Sequence, residues 1–192
     1  MGRPREFDEE KVLDQALDAF WRRGYEATSV ADLMEATGLA KGSLYKAFGD
    51  KKSLFLVALR RYLDQGYVKA RAILFDAESA EAGVGAWLEH VVRMATCPKA
   101  RGCFAVNCTV ETAPHDPEVQ AVLVKHAARL ERLFEDVLAR GVERGELRPD
   151  LDPPTAARFI TTIVNGLQVS GKGGLSYEDA QAQLALAMFA LR

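Results

Sequence analysis

The apolar residues of this chain recur at helical spacing in separate stretches, and nowhere do they alternate as a strand requires. Val12, Leu13, Ala16, Leu17, Phe20 and Trp21 form the first stripe. Asp8 stands before it as an N-cap, Glu9 and Glu10 fill the first turn, Phe7 and Val12 are placed for a hydrophobic staple, and Gly24 ends it. Val30, Leu33 and Met34 give a second, shorter helix. Ser29 and Asp32 form an S-x-x-D capping box at its start, and Gly38 stops it. A third helix over 41–48 turns Leu44 and Phe48 inward. Leu54, Phe55, Val57, Ala58, Leu59, Tyr62 and Leu63 carry a fourth, expected to run to about Asp76.

Farther on, A-E-S-A-E-A-G-V-G predicts a break before a helix carrying Trp87, Leu88, Val91, Val92, Met94 and Ala95. A short buried helix is expected over 103–112 and a long one over 118–140. Pro153 or Pro154 opens the next at its first turn, and 177–191 closes the chain as an alanine- and leucine-rich helix. The expectation is an all-α chain of about nine helices, without internal repeats.

Composition adds exclusions. A chain of 192 residues with 48% hydrophobic content can bury a real core. No apolar run approaches the roughly 18 residues that span a bilayer, the longest candidate being 184–191. M-G-R-P-R-E carries no apolar stretch behind its basic residues, so a cytoplasmic location is expected. Three cysteines are too few for a disulfide framework, and Cys97, Cys103 and Cys108 contain no C-x-x-C element for a metal. No metal and no cofactor are expected.

Net charge is only −2, but it is unevenly spread. Between Thr37 and Lys52 stand Lys41, Lys46, Lys51 and Lys52 against the single acid Asp50. Arg3 and Arg5 add charge in the arm before the first helix, suited to a minor groove. Positive charge thus lies where phosphate would, and the acidic remainder disfavours indiscriminate sticking. The short helix over 41–48 exposes Lys41, Gly42, Ser43, Tyr45 and Lys46 on the faces opposite Leu44 and Phe48. A helix that short is marginal alone and makes sense as a probe held by its neighbours in a major groove.

G-Y-E-A-T-S-V-A-D-L before this unit and L-Y-K-A-F-G-D-K-K-S-L-F after it resemble the TetR family of transcriptional regulators, closely over roughly residues 8–60. The resemblance implies an N-terminal three-helix helix-turn-helix DNA-binding domain over 1–50. It also implies a C-terminal helical effector-binding and dimerisation domain over 51–192. Lys41, Ser43 and Lys46 would reach base edges; Thr28, Tyr45 and Lys51 would hold phosphates; Gly42 would permit close approach. The expected partners are double-stranded DNA carrying a near-palindromic operator, a small-molecule effector and a second copy of the chain. Ala40 and Ala47 depart from the family, which often has a capping Ser and a His or aromatic there.

Side chains combining bulk with a polar tip nominate an effector pocket: Trp87, His90, Met94, Phe104, Asn107, Glu111, Phe134, Phe159 and Asn165. Their character favours a hydrophobic or aromatic molecule, whose binding would release a repressor from its operator. Cys97 or Cys103, near Lys99 and Arg101, offers an alternative as a thiol sensor of oxidants or electrophiles. A thiol hydrolase using His90, His115 or His126 with Glu111 is a more distant alternative, for no motif unites those groups. The chain is therefore expected not to be an enzyme.

Overall fold

The computed structural model describes residues 7–98 and 101–192, and among these there are nine α-helices and no strand. They are α1 (Glu9–Arg23), α2 (Val30–Thr37), α3 (Lys41–Phe48), α4 (Lys51–Phe75), α5 (Ala80–Ala95), α6 (Phe104–Glu111), α7 (Pro117–Glu143), α8 (Pro153–Lys172) and α9 (Tyr177–Phe189).

Short polar residues start most of them. The Asp8 carboxylate accepts from the N–H groups of Glu10 and Lys11. Ser29 and Asp32 close a reciprocal capping box, and Gly38 ends α2 in the left-handed region at φ 68°. Asp50, Asp116, Asp152 and Ser176 cap α4, α7, α8 and α9 in the same way. Ala40 brings no side-chain cap to α3, which depends on its neighbours for stability.

α4 is the axis. Its 25 residues extend about 37 Å, and its two halves enter different cores. Leu54, Phe55, Leu56, Ala58, Leu59 and Leu63 pack with Val12, Ala16, Leu17 and Phe20 of α1, Leu33 of α2 and Leu44 of α3. Phe104 and Cys108 of α6, and Val119 and Leu123 of α7, join the same cluster. At its centre Phe55 meets Phe20 edge-on at 5.1 Å and Phe104 at 5.9 Å, with Tyr25 at 4.7 Å. Ala70 and Leu74 belong instead to the second core, with Val84 and Leu88 of α5, Phe134 and Leu138 of α7, Ile160 of α8, and Met188 and Leu191 at the end of the chain.

Two helix crossings have no room for a side chain. A Cβ at Gly83 would lie 2.7 Å from the Leu74 carbonyl oxygen, and one at Gly171 would collide with the backbone oxygen of Ala95. The first contact corrects the sequence expectation near Gly83 and Gly85. These glycines do not mark a break: α5 begins earlier, capped by Ser79, and Gly83 is required by the close approach to α4. A second correction concerns α6, of which only Phe104 and Cys108 are buried.

Candidate nucleic-acid interface

α3 is fastened by one fully buried residue, Leu44, which packs into the first core. Phe48 supports it from a half-buried position, its ring 6.5 Å from that of Phe7. With that side inward, Lys41, Gly42, Ser43 and Lys46 are exposed and Tyr45 is half-buried. The Lys41 ammonium lies 5.6 Å from the Tyr45 ring centre, one turn along the same face. A Cβ built at Gly42 would meet nothing within 4 Å, so its missing side chain serves no packing need inside the protein. The face therefore offers two amines, a hydroxyl, a phenol and a bare stretch of backbone.

That bareness gives a clean experiment. Gly42→Ala is expected to stabilise the fold by about 0.5–1 kcal/mol, because alanine is the better helix former and has space. If the exposed face of α3 is the one that meets a duplex, the same change is expected to weaken DNA binding, because the methyl group would stand in the way. Thermal melting and duplex titration of one variant check both halves, and unchanged affinity would show that Gly42 does not face DNA.

The start of α4 is more occupied than its sequence suggests. The Asp50 carboxylate accepts from the Ser53 N–H at 2.7 Å, so the helix supplies its own anion there. Hydrogen bonds from Ser53 hold that carboxyl below its ordinary range. The Lys51 ammonium sits 4.4 Å from the Tyr25 ring centre and donates to the Glu26 carbonyl oxygen at 3.4 Å. Sequence reasoning did not include Tyr25 at this site; its signal was an aromatic with a polar tip between Gly24 and the second helix. Burial raises the Tyr25 phenol pKa, helped by neighbouring Glu26 and Asp116, so it stays protonated.

Thr28 needs a correction. It is fully buried and its hydroxyl donates to the Gly24 carbonyl at 2.6 Å, four residues back. It shapes the turn between α1 and α2 and its side chain does not reach a phosphate. Arg3 and Arg5 lie outside the described residues.

The effector candidates fall into three groups. Trp87, His90 and Phe134 come together at the second core, with ring centres 5.6 Å (Trp87 to His90) and 6.5 Å (Trp87 to Phe134) apart. Burial, assisted by Lys69, lowers the His90 pKa and favours neutral imidazole. The Trp87 indole N–H is buried without a hydrogen-bond partner among the described residues. Such a donor is costly to leave unmet, and an acceptor on a bound molecule would relieve it.

Phe104, Asn107 and Glu111 lie elsewhere, along α6, in a crevice of about 200 Å³ shared with Trp21, Gly24 and Lys172. Phe104 is a buried core residue, Asn107 accepts from the Lys172 ammonium at 3.2 Å, and Glu111 covers Gly24. Met94, Phe159 and Asn165 are exposed on α5 and α8, which corrects the expectation that they line a cavity within one protomer. Bulk with a polar tip describes core, crevice and surface alike, so residue type alone did not separate them.

Comparison with known proteins decides the family. Residues 12–58 match the family model for bacterial regulatory proteins of the tetR family, and residues 81–184 match the tetracyclin repressor-like C-terminal domain. The chain belongs to the TetR family. It is thus a DNA-binding transcriptional regulator by family, with the TetR helix-turn-helix in α2 and α3. Among relatives, the repressor ComR of Escherichia coli is 35% identical over 182 residues, covering 92% of this chain and 85% of ComR. The repressor BdcR of the same organism is 29% identical, covering 100% of this chain and 92% of BdcR.

Among solved structures, a cysteine mutant of the TetR regulator CifR complexed with 26-bp operator DNA superposes with a TM-score of 0.88. It shares 36% identity, with both chains covered fully. The reduced form of Escherichia coli NemR, 18% identical, superposes at a TM-score of 0.86 over 95% of this chain and 96% of NemR, a likeness of TetR fold. No helix among the described residues is long and apolar enough to cross a membrane.

Proposed function

We propose that this chain is a homodimeric repressor, released from a near-palindromic operator by a small hydrophobic or aromatic effector. The observation that carries the reading is α3: a short, poorly capped helix held by buried Leu44 and presenting Lys41, Gly42, Ser43 and Lys46 outward. Lys41, Ser43 and Lys46 are assigned to base edges, lysine suiting guanine acceptors. Tyr45 and Lys51 are assigned to phosphates, with Arg3 and Arg5 of the arm as minor-groove contacts. The reading unit comprises residues 1–50, and residues 51–192 carry effector binding and dimerisation.

Dimerisation is supported by the apolar surface at the end of the chain. Phe189 is 74% exposed, Leu186 70%, Val169 55% and Phe159 41%, all on α8 and α9. Large exposed side chains of this kind on two helices favour pairing with a second copy there, and half-sites in successive major grooves require the two α3 helices of such a dimer to lie about 34–36 Å apart. The effector reading draws on Trp87, His90 and Phe134, where the unmet indole N–H favours an aromatic molecule with a hydrogen-bond acceptor. An effector preferring the DNA-incompetent spacing shifts the population away from the operator. Selection of duplexes from a randomised pool tests the whole: recovery of two-fold symmetric sites bound by a dimer is expected, and recovery of no preferred sequence removes the reading.

A second reading, a thiol-sensing regulator, is favoured by the setting of Cys103. The Tyr62 hydroxyl donates to its sulfur at 3.4 Å, and the Tyr62 ring stands edge-on to Trp21 and Phe104 at 5.0 and 5.6 Å. Burial, with the cysteine beside it, raises the Tyr62 pKa strongly, so the phenol remains a donor. Loss of the Cys103 thiol proton to solvent, then addition of the thiolate to the β-carbon of an α,β-unsaturated carbonyl whose α-carbon takes a proton from solvent, would insert a group into this packed corner. Cys108 is excluded from such a role, for burial pushes its thiol up to about 12. Under this reading, alkylation followed peptide by peptide labels Cys97 or Cys103 faster in the folded protein than in denaturant, while Cys108 resists. Equal or slower labelling of all three removes it.

A further inference from the structure

Lys52, the second residue of α4, comes directly after the lysine assigned to phosphate, yet its ammonium points at the start of α7. It lies 2.9 Å from one carboxylate oxygen of Asp116 and 3.0 Å from the other, and 3.4 Å from Glu118. Both acids stand at the start of α7, Asp116 as its N-cap and Glu118 in its first turn. The lysine holds the Asp116 carboxyl below its ordinary range. Arg60 approaches Glu118 more loosely, at 3.7 Å. Of the four lysines between Thr37 and Lys52, Lys41 and Lys46 are exposed on α3, while Lys51 and Lys52 are engaged by protein groups.

The Lys52 contacts are exchangeable. Its side chain is 39% exposed, and ion pairs so open to water contribute little net free energy. A DNA backbone, with its high charge density and releasable counterions, is a strong competitor for such an amine. Asp116 stands 64 residues from Lys52 in sequence, so the fold alone brings the two together.

We propose that Asp116 and Glu118 form a carboxylate catch that competes with the DNA backbone for Lys52, making Lys52 a phosphate ligand engaged only when the catch releases it. This rests on the DNA-binding reading above and deepens it. The start of α7 then tunes operator affinity: displacing it hands one more cation to the duplex. The sign is distinctive. If the ion pairs merely brace the reading unit, removing them weakens binding; if they form a catch, removing them tightens it.

A double-mutant cycle on the full-length protein tests this, using a duplex that the wild type has selected from a randomised pool. Asp116→Asn keeps an N-capping side chain, Glu118→Gln keeps shape, and Lys52→Met keeps the apolar stem. Thermal melting confirms that each variant is folded at the assay temperature, and binding is followed from about 50 to about 200 mM salt. The acid pair variant is expected to bind roughly three- to ten-fold more tightly, with a salt slope steeper by about 0.9. Adding Lys52→Met is expected to erase that gain. A gain of equal size with and without Lys52 would be a plain field effect and overturns the proposal, as does weaker binding of the acid variant. If the wild type selects no duplex, the regulator reading falls and the catch with it; if it selects one but shows no coupling, the catch alone falls.

Discussion

Phe55→Ala is expected to destabilise the folded chain by about 3–5 kcal/mol, the usual cost of deleting a buried ring that its surroundings cannot collapse onto. Phe55 is fully buried and touches rings from three places in the fold: Phe20 of α1, Tyr25 of the following turn and Phe104 of α6. Its neighbours are themselves fixed. The Trp21 indole N–H donates to the Gly102 carbonyl at 3.2 Å, and the Arg101 guanidinium covers the Trp21 ring at 4.5 Å. Collapse into the cavity would drag α6 and α1 together, so little relaxation is available. Denaturant unfolding measures the effect, and a loss below about 1.5 kcal/mol would mean the aromatic cluster is plastic. Because the cluster joins the reading unit to α6, the variant should also bind DNA more weakly while still folded.

Lys41→Ala combined with Lys46→Ala is expected to lower operator affinity by about 2–4 kcal/mol, following the usual value of a well-placed basic contact. Both residues are exposed on α3 and alanine suits a helix, so melting should be unaltered. Salt dependence separates their roles. A slope reduced by about 0.9 for each lysine identifies phosphate contacts, whereas lost discrimination between cognate and random duplex with little change in slope identifies base contacts. Unchanged affinity for the selected duplex removes α3 as the reading helix.

The helices were legible because their ends are written locally. Asp8 and Ser29, both read as caps from the sequence, each carry an oxygen two or three residues from an amide that needs one. Asp50, Asp152 and Ser176 do the same in the structure, although the sequence reading did not single them out as caps. Leu44 and the exposed residues of α3 were legible for a similar reason, since burying one stripe of a short helix dictates what the other side shows. Gly83 misled because a helix-breaking residue and a close helix crossing look alike until α4 is in place beside it. Thr28 misled because a hydroxyl can satisfy itself on its own chain four residues back. The hold on Lys52 by Asp116, and the separation of Trp87, His90 and Phe134 from the crevice at Asn107 and Glu111, depend on how distant segments meet. No local pattern encodes them.

The two crossings without side chains limit how α4, α5 and α8 can move against one another. At Gly83, α5 rests directly on the α4 carbonyl at Leu74; near its other end, the backbone at Ala95 receives α8 at Gly171. Backbone against backbone offers no rotamers to give way, so these points act as fulcrums: α5 can tilt about them but cannot be squeezed closer. Under the proposed effector reading, a molecule held beside Trp87 would load α5 between these two points, and the helix it bears on at Gly83 is the rod whose other end follows α3.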